Sequence, residues 1–305
     1  MEKTLKQLIF SKASGISKLL LLTFCLCYNA HALARQDISI AITDSRHQKA
    51  ISKVIISNLN KNNINADVIT IDSLKEENNR DILIGIGDEA NLALNQNTNP
   101  SRQLRIITSI TPDHKDPRNR STYLSMTQAV CQQLNFINAI DAQWKKIGIL
   151  LQTSNQLIIE QLQNCAQKYN QNITPIIITQ YINIIDALNA NLPGIDALLA
   201  LPDPNVYNAK TIKGILLTTY RHRKPLIGFS ESFVRAGALA AIHTPIEQLG
   251  KQAAEITMQI YQDNSTQQYI YPEYFDIAIN YDVAKSLKIN IPDRKVLIEK
   301  MNQIP

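Results

Sequence analysis

Four cysteines among 305 residues, five scattered histidines and a charged fraction of only 19% leave few rare groups from which chemistry can be read. The histidines form no short-spaced set with cysteine or carboxylates, so the chain offers no zinc-type metal site. No Walker-type loop is present, and no G-x-G-x-x-G follows a strand. "GFSES" (228–232) lacks the pattern of a G-x-S-x-G nucleophile elbow, and "GIGDEA" (85–90) is too short of glycine to bind a phosphate. No acid/base or nucleophile pair is marked, so an enzyme is not expected and no cofactor is required. Excess charge is missing as well. Residues 1–34 carry four of the 31 basic and one of the 26 acidic side chains, so the remainder holds a net charge near +2 against +5 for the whole chain. That gives no basis for a nucleic-acid partner. The run "RHRK" (221–224) reads as basic residues at a helix C-terminus.

What is present is apolar and ordered. Hydrophobic residues make up 45% of a chain long enough for two α/β domains. Lys3, Lys6, Lys12 and Lys18 precede an apolar run at 19–27, and Ala32 and Ala34 in "AHALA" form an A-x-A pattern. This is the layout of a cleavable secretory signal over 1–34 and predicts a periplasmic protein beginning at Arg35. The run is too short to serve as a mature membrane span. Cys25 is a second processing site to weigh, as a lipid attachment point, although the bulky Phe24 before it fits poorly. Cys131 and Cys165 fall in amphipathic helical periods. An exported pair can bridge, but no sequence feature joins those two helices, so buried free thiols are expected.

Short apolar runs recur at "ISIAIT" (38), "ADVITI" (66), "DILIGIG" (81), "LRIITSI" (104), "KIGILL" (146), "ITPIIIT" (173), "DALLAL" (196) and "PLIGF" (225). Such runs suit strands buried on both faces. Helical periods lie between many of them, as at Ile51, Val54, Ile55, Leu59 and at Met126, Val130, Leu134, Ile137. Strand alternating with helix predicts an α/β fold of two similar, doubly wound parallel-sheet lobes. The helix after "TPIE" opens with Thr244 as expected N-cap, Pro245 at its first position and Glu247 closing a capping box. The elements after it are too few to fold alone and must return to both lobes through a multi-crossover hinge. The expected division is 35–143 plus 233–265 for one lobe and 144–232 plus 266–305 for the other.

Four strands end abruptly in polar residues. Thr43, Asp44 and Ser45 follow the first, Thr153, Ser154 and Asn155 the fifth, Asp203, Asn205 and Tyr207 the seventh, and Ser230, Glu231 and Ser232 the eighth. In parallel sheets ligands bind beyond the carboxyl ends of the strands. Asp203 offers a carboxylate for an amine or hydroxyl, Asn205 a donor and an acceptor, and Tyr207 a ring face. Each end has a rival reading as a turn or helix cap. Taken together they predict one cleft between the lobes.

The blocks "LPDPNVYN" (201–208) and "GFSESFVRAGALAA" (228–241), with "FDIAINYDVAKSLKINIP" (275–292), resemble the periplasmic substrate-binding proteins of ABC transporters, of the kind related to tryptophan/tyrosine-type binding components. The resemblance covers most of the second half. It implies a type I periplasmic-binding-protein fold that closes on a small ligand, an amino acid or related compound, and delivers it to an ABC permease in the inner membrane. It also implies that Asp203, Asn205, Ser230 and Glu231 face the cleft. A receptor reporting to a signalling partner would use the same cleft. The first lobe departs from the family pattern at "TSITPDHKDPRNRSTY" (108–123), where Ser109 and Thr111 are the side chains left to reach a ligand.

Overall fold

The computed structural model describes residues 38–75, 80–96, 102–107, 121–263 and 269–303. The signal-like segment with Cys25, as well as Ser109 and Thr111, lie outside the described residues.

The first sheet is built from the most apolar runs. β1 (Ile38–Ile42) and β3 (Ile82–Ile86) are buried at every position. They pair in parallel with β2 (Ala66–Thr70), β4 (Arg102–Ile107) and β5 (Ser121–Ser125) in the order β2-β1-β3-β4-β5. Helix α1 (Arg46–Asn60) buries Ile51, Ile55 and Leu59 at helical spacing, and α2 (Asp88–Gln96) buries Ala90 and Leu94. β5 carries no apolar run, and the periodicity of the sequence does not reveal it. Its two serines find partners inside, whereas the buried Thr122 hydroxyl has none among the described residues. The Ser121 hydroxyl meets Arg105 Nε at 3.1 Å and Gln103 Oε1 at 3.2 Å, and the Ser125 hydroxyl donates to the Thr127 carbonyl at 2.9 Å. Arg105, only 3% exposed, also donates to the Asn91 carbonyl at 3.2 Å and sits over the Tyr123 ring.

The second sheet comprises β6 (Lys146–Leu151), β7 (Asn172–Ile177), β8 (Ala197–Leu199), β9 (Leu226–Gly228), β10 (Ala240–His243) and β11 (Asp276–Ile279). Its order is β11-β10-β9-β8-β6-β7, parallel except for the antiparallel β10–β11 pair. In both sheets the first strand pairs with the second on one side and the third on the other, which is the strand-order reversal of a doubly wound fold. Around this sheet lie α3 (Val130–Ile140), α4 (Gln156–Gln167), α5 (Ile184–Asn191), α6 (Ile212–Arg221) and α7 (Glu231–Ala236). Helix α8 (Ile246–Asp263) instead returns to the first sheet, where Leu249, Ala253, Ile256 and Ile260 share a core with Ile51 and Ile55 of α1. The short α9 (Tyr281–Leu287) and α10 (Arg294–Asn302) finish the second lobe. α6 ends at Arg221, with His222 as its C-cap and Arg223 at φ 55°.

The lobes therefore exchange chain three times, at 126–129, at 244–245 and at 271–275. The expected borders shift accordingly. α3 packs with α4 and α10 and so joins the second lobe, as do α7 and β10. Ile270 bridges in parallel to Leu124 and stays with the first. Alternating periods show where strands and helices run, but a helix buried nearly all round, as α3 is, carries no mark of the sheet it covers.

The two cysteines also differ from expectation. Cys131 and Cys165 are disulfide-bonded, with their Cα atoms 4.9 Å apart. α3 and α4 pack side by side through Leu134, Ile137, Ile159 and Leu162, and this tertiary contact, absent from any local pattern, brings the thiols together.

Candidate ligand-binding cleft

The first two crossovers border a cavity of about 810 Å³, and the strand that follows the third lines it. From the first lobe it is lined by His47 at the start of α1, by Met126 and Thr127, and by Ile246, Glu247 and Leu249 of α8. The second lobe supplies Pro202, the stretch 229–232, Val234 and Arg235, His243, and the β11 residues Asp276 to Ile279. Thr244 and Pro245 line it where the chain passes back to the first lobe.

Local structure explains how these groups are presented. Ser230 stands in extended backbone at the N-cap of α7; its hydroxyl accepts from Phe233 N–H at 3.3 Å and pairs with the Ser232 hydroxyl at 2.9 Å. Glu231 opens the same helix and forms an i,i+4 ion pair with Arg235 at 2.7 Å. Gly228, just before, allows the tight turn: a Cβ there would lie 2.8 Å from Phe233 Cβ. Asp276 and His243 are register partners on β11 and β10. The Asp276 carboxylate is held by Arg294 of α10, whose Nε donates to Oδ1 at 3.0 Å and to the Ile277 carbonyl at 3.1 Å. Burial pushes the His243 imidazole below its usual pKa, opposed by the Asp276 and Glu231 carboxylates; burial lowers His47 as well.

Of the side chains singled out in the sequence, Ser230 and Glu231 line the cavity, along with Ser232. Tyr207 stands one layer behind, only 8% exposed, with its ring edge-on to Phe229 at 6.2 Å and to Phe233 at 5.5 Å. Its hydroxyl has no hydrogen-bond partner, and burial together with the Asp203 carboxylate raises its pKa. Asp203 and Asn205 are not among the lining residues: Asp203 Oδ1 accepts from Asn205 N–H at 2.8 Å, and the Asp203 carbonyl accepts from Tyr207 N–H at 2.8 Å, closing a turn. Thr43 is turned to Gln48, whose Oε1 accepts from the Thr43 amide at 2.6 Å and from its hydroxyl at 2.9 Å. Ser45 caps the backbone of α1 without a side-chain bond, two residues from His47. Thr153 and Ser154 are exposed at the end of β6 and do not reach the cavity.

His47, Thr127, Arg235, His243, Thr244, Glu247 and Asp276 are the polar lining groups that the sequence reading missed. His243 ends a buried strand, so the strand-end rule that marked Ser230 applied to it too. Thr127, Thr244 and Asp276 lie on or beside crossovers, for which the sequence carries no signal. Among the described residues no three His, Cys, Asp or Glu side chains group as a metal site.

Two doubly wound lobes joined by three crossovers around a cavity of this size define a type I solute-binding fold. The family model for ABC transporter substrate binding proteins matches residues 29–303, and the chain belongs to that family. Among solved structures it is similar to an ABC domain from Streptococcus pneumoniae in complex with L-Trp, with TM-score 0.62 and 18% identity over 87% of this chain and 98% of that one. A ligand-free, open substrate binding protein with adhesive properties from Clostridium difficile gives 0.66 and 18% over 85% and 97%. A conserved domain protein from Vibrio cholerae gives 0.62 and 21% over 87% and 98%. Among curated proteins, a tyrosine-binding protein of Clostridioides difficile is 24% identical over 172 residues, which is 55% of this chain and 48% of that protein.

Proposed function

We propose that this protein is an exported solute receptor of an ABC importer that holds a small zwitterionic ligand, an amino acid or related compound, between its lobes and presents it to a permease. The observation that carries this reading is the cavity itself, about 810 Å³ and lined from both lobes and the hinge. That volume falls in the range of small-molecule sites, where apolar walls enclose a ligand and a few polar groups orient it. Phe229, Val234, Ile246 and Leu249 supply the walls; Ser230, Glu231, His243 and Asp276 supply the polar set. Carboxylates on the second-lobe wall favour a ligand ammonium. The relatives named for tyrosine binding and for an L-Trp complex support the choice of compound class. Export with removal of 1–34 completes the reading.

The experiment is a thermal-shift panel on the purified chain starting from Arg35, with L-tyrosine, L-tryptophan, branched amino acids, purines and small peptides, confirmed by calorimetry. One class should bind, and Phe229→Ala should weaken that binding about tenfold or more. A panel without a single binder would sink the reading.

A further inference from the structure

The three crossovers meet at one side chain. Gln128, 2% exposed, lies in the first crossover. Its Nε2 donates to the Thr244 hydroxyl at 2.7 Å in the second crossover and to the Tyr274 carbonyl at 2.8 Å in the third. The carbonyl of Gln128 accepts in turn from Gln133 Nε2 of α3 at 2.8 Å, which fixes its backbone. The amide cannot be turned over, because the Tyr274 carbonyl only accepts and would then face Gln128 Oε1. Both N–H groups of Gln128 are thus committed. The Thr244 hydroxyl uses a lone pair on Gln128, keeps its own proton, and lines the cleft.

Thr244 does not act as the helix cap that its sequence position suggests. α8 begins at Ile246, and the first amides to turn back, those of Gln248 and Leu249, bond to the Pro245 carbonyl at 3.1 and 2.9 Å. The N–H groups of Ile246 and Glu247 precede the helix's own ladder. A hydroxyl with one lone pair taken and its proton free to donate therefore stands beside the positive end of an 18-residue helix, and both suit an acceptor oxygen on the ligand.

We propose that the Thr244 hydroxyl is a ligand contact that donates to a carboxylate or carbonyl oxygen, and that Gln128 is the positioning residue that occupies one of its lone pairs and holds it in place with its proton free. This deepens the solute-receptor reading and rests on it. Gln128 Oε1 is buried and accepts no hydrogen bond, an orphan whose cost is tolerated where the amide's two donors are needed.

The test titrates wild type, Thr244→Val, Thr244→Ser, Gln128→Met and the Thr244→Val/Gln128→Met double variant with L-tyrosine and L-tryptophan, adding tyramine and tryptamine as probes that lack the carboxylate. Thr244→Val should weaken amino-acid binding about tenfold, and Thr244→Ser should restore it. Gln128→Met should also weaken binding, but should add little in the Thr244→Val background because it acts through the same hydroxyl. The amines should bind wild type and Thr244→Val alike. Undiminished binding by Thr244→Val overturns the contact, and a full extra loss in the double variant overturns the positioning role. If neither amino acid binds wild type, the solute class has failed, and the ligand-free interlobe distance measured between spin labels decides the hinge. A distribution broadened by Gln128→Met keeps Gln128 as the tie, and an unchanged one removes it.

Discussion

Gly250 of α8 lies directly against Val54 of α1: a Cβ built on Gly250 would come within 2.6 Å of both Val54 Cβ and Cγ1. The contact explains how α8, which follows a strand of the second sheet, closes onto the first. A side chain at 250 would hold the two helices apart, and Ile51, Ile55, Leu249 and Ala253 would lose their shared core. Gly250→Ala gains about 1 kcal/mol of helix propensity, but overpacking costs about 1–3 kcal/mol. A net loss is expected, because Val54 is β-branched and has little freedom to give way. The midpoint of thermal unfolding should fall by a few degrees, and Val54→Ala in the same chain should recover part of it. A midpoint at or above wild type would show that the helices can part without penalty.

The bridge between Cys131 and Cys165 closes a loop with a sequence separation of 34 residues. In the chain-entropy account, a loop of that length stabilises the fold by about 3–4 kcal/mol. Replacing both cysteines by serine should lower the denaturant midpoint accordingly. Reductant should lower the midpoint of wild type and leave the double variant unmoved. The ligand cleft is expected to survive, since neither cysteine lines it.

His243 gives stability a defined pH dependence. Its folded pKa is lowered by burial, so below about pH 6.5 the unfolded chain takes up a proton that the folded chain resists. More protons on the unfolded state mean that stability rises with pH. It is complete above the unfolded value and is lost as pH falls toward the folded one. Between pH 8 and pH 5 the melting temperature should therefore drop, and His243→Gln should flatten part of that slope while His47, also lowered, retains the rest. Equal slopes in wild type and His243→Gln would remove His243 from this account.

The lobes were legible in the sequence because buried parallel strands declare themselves: Ile38, Ile40, Ile82 and Ile84 are all fully or almost fully buried. β5 escaped because Ser121 and Ser125 are buried by hydrogen bonding to partners such as Arg105, Gln103 and Thr127, and Thr122 is buried with its hydroxyl unpartnered among the described residues, so the strand leaves no apolar trace. The cleft was legible only where a strand ended in a cap, as at Ser230. Asp203 shows the limit of that rule, since a carboxylate that closes its own turn looks the same in sequence as one that faces a ligand. The hinge was the least legible part. Gln128 is 116 residues from Thr244 and 146 from Tyr274, and nothing local predicts that an amide will tie all three.

His47, Glu247, Ser230 and Asp276 line one cavity from both lobes, so a ligand that touches both lobes is expected to favour an arrangement in which they are drawn together. Binding should then do two things together. At a free concentration of about 100 times the dissociation constant, linkage adds about 2.7 kcal/mol to stability. For a chain of this size, that moves the melting midpoint by about 5–10 °C. The same ligand should shrink the radius of gyration in solution scattering, since hinge closure brings the lobes together. Arg235→Ala frees Glu231 from its ion pair without touching the hinge, and should change affinity while leaving the scattering change at saturation intact. A ligand that stabilises by several degrees yet leaves the scattering curve unaltered would mean that it binds the lobes as they already stand, and closure would have no part in the mechanism.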